Sequence, residues 1–264
     1  MKALTLRMLT YIVAIYLSVA SLIYVMQDSY IFFPVKDDYG DMSNLENVEE
    51  YSIEEGGIKL RGWLVNKEYA VGKLIIYYGG NAEDVYWNIM DHYDKKGYAI
   101  LLVNYRGYGL SGGKSSEKSL FSDACLIYDD ITAKYRPEKV ILYGRSLGSG
   151  VAAYMSSVRE VDGMILVSPY DSMVNMAKEQ FVIFPVGIML RHRFDSVKYL
   201  EKYKAPLCII YGGSDNIIPN RRTEALIKHI RGLKEVVLIK GAGHNDIAGF
   251  ELYGRTVGRF IGKI

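Results

Sequence analysis

The chain of 264 residues is poor in cysteine, in histidine and in net charge, and each shortage excludes something. Its two cysteines, Cys125 and Cys208, fall in an apolar helix pattern and a buried-strand pattern, where small hydrophobes belong and a disulfide pair does not suggest itself. Neither C-x-x-C nor H-E-x-x-H spacing occurs, so no metal site and no cofactor is expected. The 32 basic residues are offset by 30 acidic ones, and a net charge of +2 gives no polyanion-binding excess. Nucleic acid is therefore not an expected partner. Internal repeats and low-complexity segments are missing as well. With only four histidines, any chemistry that needs an imidazole has few places to sit.

What the chain does have is apolar surface, at 50% hydrophobic residues, enough for one sizeable domain. Its 23 tyrosines are spread over strands, helices and the N-terminal segment alike, so they are read as amphipathic packing residues. Residues 9–26 carry no charge and are long enough to cross a hydrocarbon core as a helix. Lys2 and Arg7 precede them, while Asp28, Asp37 and Asp38 follow with Lys36 as the only nearby base. The positive-inside bias then places the N-terminus in the cytoplasm and the globular part across the membrane, periplasmic or extracellular in a bacterium. Ser18-Val19-Ala20 resembles a signal-peptide cleavage site, but Leu22 to Val25 continue the apolar run past it, so a retained anchor is the expectation. A buried N-terminal helix is the third reading. The expected division is an anchor over residues 1–28, a linker over 29–47 and a domain over 48–264. Within the linker, residues 30–35 (Y-I-F-F-P-V) either sit at the membrane boundary or dock as an edge strand.

From residue 48 the pattern is regular. Residues 51–55 and 58–66 flank Gly56-Gly57 as a hairpin. Strands are expected at 73–78, 98–104, 140–143, 163–168, 206–211 and 235–239. Helices are expected at 83–96, 116–135, 151–158, 221–230 and 246–261. Short apolar strands alternating with helices predict an α/β fold, a mostly parallel sheet covered on both faces with the antiparallel hairpin at one edge. Residues 169–200 break the alternation and contain the apolar run 181–190. They form either a core helix interrupted by proline or a short cap over the carboxyl edge of the sheet.

The motif that organises the chain is Gly144-Arg145-Ser146-Leu147-Gly148, between a strand and a helix. A turn this tight pushes the serine hydroxyl into the open beside helix N-terminal N–H groups, where negative charge developing on an attacked carbonyl is stabilised. In an open α/β sheet, reacting groups gather beyond the carboxyl ends of the strands. After the 206–211 strand comes Asp215, in G-G-S-D-N, and after the last strand comes His244, in G-A-G-H-N. The order serine, acid, histidine suits this topology. His92 and His229 lie in charged helix patterns and are expected at the surface, and His192 belongs to the basic run of the cap. Asp171 competes with Asp215 for the acid position. One oxyanion donor is expected from Leu147 N–H. The other is expected from Asn81 N–H, or failing that Gly80 N–H, in the glycine-rich loop after the 73–78 strand, with the Asn81 side chain serving as a helix N-cap.

These residues carry a resemblance. Ile31-Phe32-Phe33-Pro34, Gly80-Asn81-Ala82-Glu83-Asp84, the run from Asn104 to Gly113, the Ser146 turn, Ser214-Asp215 with Ile218-Pro219, and Gly243-His244 together are similar to the α/β-hydrolase superfamily. Within it they resemble the membrane-tethered group related to bud-emergence hydrolases and α/β-hydrolase-domain depalmitoylases. The resemblance implies an α/β-hydrolase fold with a Ser146–Asp215–His244 triad, and a small-molecule or lipid-like acyl substrate whose identity does not transfer, because the cap varies. This chain departs from the group at Gly79, where histidine is usual, and at Asn104, where aspartate is usual. The first departure predicts a looser oxyanion loop. The function expected is a membrane-anchored serine hydrolase of carboxylic esters or thioesters bearing apolar acyl groups. A serine peptidase and a binding or scaffolding protein with an idle triad are the alternatives.

Overall fold

The computed structural model describes residues 2–36 and 45–264, the side chains of Lys2 and Ala3 excepted. The contributions of Lys2, Asp37 and Asp38 to the expected orientation, and positions 37–44 of the expected linker, lie outside the described residues. The N-terminal helix α1 is Lys2–Ile31. It continues past residue 28 into the expected linker, and residues 32–36 then lie on the domain without forming a strand: Phe32 is buried and Gly109 N–H donates to Val35 O at 2.7 Å.

Among the described residues eight strands form one sheet in the order β1-β2-β4-β3-β5-β6-β7-β8. They are β1 Val48–Glu55, β2 Ile58–Val65, β3 Lys73–Tyr78, β4 Ala99–Val103, β5 Lys139–Arg145, β6 Gly163–Val167, β7 Leu207–Gly212 and β8 Lys234–Ile239. The β1–β2 hairpin turns at Gly56 and Gly57, both with positive φ, and joins β4 antiparallel; β4 through β8 pair in parallel. The inner strands are apolar at nearly every position because both faces are covered. Leu74, Ile76, Leu101, Leu142 and Leu166 face one side, against α3 Glu117–Tyr135, α4 Leu147–Val158 and α8 Asn220–His229. Ile75, Ile100, Ile141 and Ile165 face the other, against α2 Ile89–Tyr93 and α9 Glu251–Lys263. Each such side chain, buried to within 1% of completely, stabilises the fold by roughly 1.5–3 kcal/mol.

Two expected helices are shorter than their patterns. Over 83–96, only a 3-10 turn Val85–Asn88 and α2 form, because the Asp84 carboxylate accepts from Tyr86 N–H and sets the helical start after it. Over 246–261, a 3-10 turn Ile247–Gly249 precedes α9. Conversely, α4 begins directly after Ser146, four residues before the expected start. The segment over 169–200 is neither one helix nor a bare loop. It holds α5 Met173–Gln180, α6 Val186–Met189 and α7 Ser196–Leu200, and the first two pack beside α1.

Candidate active site

The serine turn follows from close packing. A Cβ at Gly144 would lie 2.5 Å from Gly148 O, and one at Gly148 would lie 2.0 Å from Tyr78 O, so β5, α4 and β3 meet only if both positions are glycine. Between them Ser146 holds φ 51° and ψ −117°, a strained conformation fixed by Ser146 N–H donating to Val167 O at 2.9 Å.

The structure brings together three residues far apart in sequence. His244 Nε2 lies 3.0 Å from Ser146 Oγ, and His244 Nδ1 lies 2.8 Å from Asp215 Oδ2. All three side chains are largely withdrawn from water. Burial by itself would raise the Asp215 carboxyl. The hydrogen bond to His244 and the N–H groups of Ile218 and Ile217, at 2.8 and 3.0 Å, nevertheless hold it below the usual carboxylate range. Asp171 is placed elsewhere. It is buried, takes Asn175 Nδ2 at 2.7 Å and Arg222 Nη1 at 3.1 Å, and accepts from Ser172 N–H.

In the loop after β3, Gly80 N–H donates to Glu83 Oε2 at 2.7 Å, so it is already engaged. Asn81 N–H meets no acceptor among the described residues, and Leu147 N–H, at the first position of α4, has no intrahelical partner. The Asn81 side chain does not cap a helix. Its Nδ2 donates to Ile31 O at 2.7 Å, and its Oδ1 accepts from Tyr108 OH at 2.6 Å and Phe33 N–H at 2.9 Å, which ties this loop to the end of α1.

Two residues of the site escaped the sequence reading. The Glu83 carboxylate takes four donors: Gly80 N–H, Arg145 Nη1 at 2.7 Å, and Tyr77 OH and Asn88 Nδ2 at 2.6 Å each. Arg145 also reaches His244 O at 3.3 Å through Nη2, so one side chain spans the loop after β3 and the loop after β8. With this brace the loop is held without the histidine that the resemblance leads one to expect at position 79. The only hint in the sequence is a charged pair next to the two glycine motifs. Asn104 keeps a role in the same region, accepting from Val85 N–H at 3.1 Å and donating to Asp84 at 2.8 Å. The other histidines are not bare surface residues, except His229, which is exposed. His92 is half-buried with Nδ1 3.0 Å from Tyr98 OH, and His192 is buried with Nε2 2.8 Å from Asp28.

Against known proteins, residues 73–194 match the model of the α/β hydrolase fold family. The chain is 28% identical over 235 residues to an uncharacterised protein of Mycobacterium tuberculosis, covering 86% of this chain and 84% of that one. It is 33% identical over 164 residues to α/β hydrolase domain-containing protein 17B of Xenopus laevis, covering 61% of this chain but only 54% of that protein. Among solved structures it is similar to the Pyrococcus furiosus esterase Pf2001, at TM-score 0.68 and 20% identity, covering 88% of this chain and 97% of the esterase. By its strand order, by the family match that runs from β3 into the cap and by its likeness to the esterase structure, this chain has the α/β-hydrolase fold.

Proposed function

We propose that the chain is a membrane-anchored serine hydrolase that cleaves carboxylic esters or thioesters bearing an apolar acyl group. The observation that carries this reading is the unbroken relay from Ser146 Oγ through His244 to Asp215 Oδ2. With Nδ1–H donated to Asp215, His244 keeps Nε2 free to accept the Ser146 proton as Oγ attacks the carbonyl carbon. The N–H groups of Leu147 and Asn81 receive the oxyanion. The imidazolium returns its proton to the departing alkoxide or thiolate, leaving acyl-Ser146. Water then attacks the acyl group, its proton passes to His244, and Ser146 leaves with that proton. No metal or cofactor is needed for any step.

Two features support an apolar acyl group and an anchor. A cavity of about 140 Å³ lies between α1 and the cap, lined by Ile23, Ile31, Met173, Met176, Met189 and Leu190. Gln27 and Gln180 also reach its wall and no triad residue does, so it stands apart from Ser146 as an apolar space suited to a few carbons of a chain. Among the described residues one helix, Leu4–Ile31, is long and apolar enough to cross a membrane. In our reading it is retained, with its N-terminus cytoplasmic and the domain on the far side.

The test is labelling of the full chain by a fluorophosphonate, expected at Ser146 and absent in Ser146→Ala. The folded wild type left unlabelled would leave the scaffolding reading in its place. Hydrolysis of p-nitrophenyl esters is expected to favour longer acyl chains over acetate, and a preference for acetate would remove the apolar-acyl part alone.

A further inference from the structure

The cap and the N-terminal helix meet in an unusual place. Along α1 the side chains withdrawn from solvent are Tyr16, Ala20, Ile23, Gln27 and Ile31, one stripe at intervals of three and four, and the other side chains from Leu4 onward are exposed. The stripe faces the cap, and its contacts change character along the helix. Near the carboxyl end they include polar pairs beside the Tyr30–Phe181 ring contact at 6.3 Å: Asp28 pairs with Arg191 at 2.7 Å and with His192 at 2.8 Å, and Gln27 Oε1 accepts from Arg191 N–H at 2.7 Å. Further toward the N-terminus they are apolar: the Tyr16 ring stacks on Phe184 with centroids 5.2 Å apart, and Tyr16 OH donates to Ile183 O at 3.0 Å.

Tyr16 precedes Met26, the last apolar residue before Gln27 and Asp28, by ten positions. At about 1.5 Å per residue that is roughly 15 Å, half of a hydrocarbon core about 30 Å thick. Whatever touches Tyr16 in a spanning helix therefore lies deep in the bilayer. The cap segment that does so is built for it. Residues 181–190 hold no charge, while Lys178, Glu179, Arg191 and Arg193 stand on either side. Val182, Ile183 and Ile188 are 80, 73 and 89% exposed, next to a helix whose own outward face is apolar. In water such a continuous apolar surface is costly. In lipid the Ile183 carbonyl would need a donor, and the Tyr16 hydroxyl supplies one from the span itself.

We propose that the cap tip, residues 181–188, enters the hydrocarbon layer beside the N-terminal helix, so that lipid acyl chains are the partner of this surface. The inference rests on the reading of α1 as a membrane span and is independent of the hydrolase chemistry. Arg191 and His192 then lie at headgroup level with Asp28. The apolar cavity between α1 and the cap, with Met189 and Leu190 on its wall, borders the bilayer rather than water.

The experiment uses the full chain in phosphatidylcholine vesicles, with Cys125→Ser and Cys208→Ala as background. Single cysteines are introduced by Ile12→Cys on the helix, Ile183→Cys and Ile188→Cys on the cap tip, and Leu233→Cys on the exposed turn before β8, each labelled with an environment-sensitive fluorophore. Blue-shifted emission and loss of intensity to acyl-chain spin labels are expected at 183 and 188 as at 12, and not at 233. Probes at 183 and 188 that behave like 233 while 12 is quenched would overturn the proposal and leave the span intact. Loss of quenching at 12 as well would remove both. The unsubstituted chain gives a check without variants: a water-soluble carbene precursor should label residues 181–190 far less than Leu233 in vesicles, and equal labelling would overturn the proposal.

Discussion

Asp215 divides its two oxygens between different tasks, and the division makes a sharp prediction. Oδ1 accepts from the N–H groups of Ile217 and Ile218, which can only donate, and Oδ2 faces His244 Nδ1. In Asp215→Asn the amide oxygen stays on the two backbone donors, so its NH₂ group turns toward His244. Nδ1 must then accept, Nε2 carries the hydrogen, and the imidazole no longer takes the Ser146 proton. We expect kcat on ester substrates to fall by about 10⁴ with the denaturation midpoint little changed, against on the order of 10⁶ for Ser146→Ala or His244→Ala. A loss below tenfold would mean that Asp215 does not orient the base. The three residues were legible from sequence because each follows a strand in a turn of its own, and the order of strands sets which loops can meet. Legibility ended at pairing distances: Asp215 was favoured over Asp171 by the Ser214-Asp215 resemblance, whereas what engages Asp171, which also follows a strand and is buried but accepts from Asn175 and Arg222, was not written locally.

At the scale of elements, strands were legible and loops were not, for one physical reason. Strands of the inner sheet are apolar on both faces, a signal written locally, whereas the loop after β3 is shaped by partners distant in the chain. Glu83 lies in what the pattern offers as the first turn of a helix, yet its carboxylate is consumed by Arg145, Tyr77, Asn88 and Gly80 N–H, and the helix starts later. Asn81 reads as an N-cap, yet its amide is taken by Ile31 O, Phe33 N–H and Tyr108 OH. The loop is thus positioned from two sides. Glu83→Gln keeps the shape but replaces one acceptor oxygen by a donor, which sets an NH₂ against donors already in place. We expect kcat to fall by about 10- to 100-fold with KM nearly unchanged, the signature of a displaced oxyanion donor rather than a lost binding contact. Steady-state kinetics on one ester separates the two, and a change in KM alone would show that the brace serves substrate binding instead.

For the whole molecule, the apolar N-terminal run announced one helix long enough to cross a membrane, but its docking stripe and its polar contacts with Arg191 and His192 depend on the cap and were invisible in the run itself. The same holds for His92, whose pattern suggests a surface residue. Burial first, and Lys95 second, push its imidazole down to about 4 from an ordinary 6.5, with Nδ1 3.0 Å from Tyr98 OH. The folded protein therefore keeps His92 neutral over a range in which the unfolded chain binds a proton. Because the unfolded state takes up more protons there, stability rises with pH between about 4 and 6.5 and is lost as the solution is acidified through that window. Above 6.5 the contribution is complete and flat. At pH 5 the loss amounts to at most about 2 kcal/mol, reduced by whatever solvent reaches the half-buried ring. Asp215, whose carboxyl is lowered, loses its contribution only below the usual carboxylate value, outside this window. Asp91 and Asp123, raised by burial from the usual carboxylate value, act in the opposite direction from that value upward, so the wild-type curve alone mixes these contributions with that of His92. His92→Asn keeps a polar partner for Tyr98 and removes the titration. Urea denaturation of the full chain in detergent at pH 7.5 and pH 5 should show a larger drop in midpoint for the wild type than for the variant. Equal drops would place the acid sensitivity elsewhere in the fold.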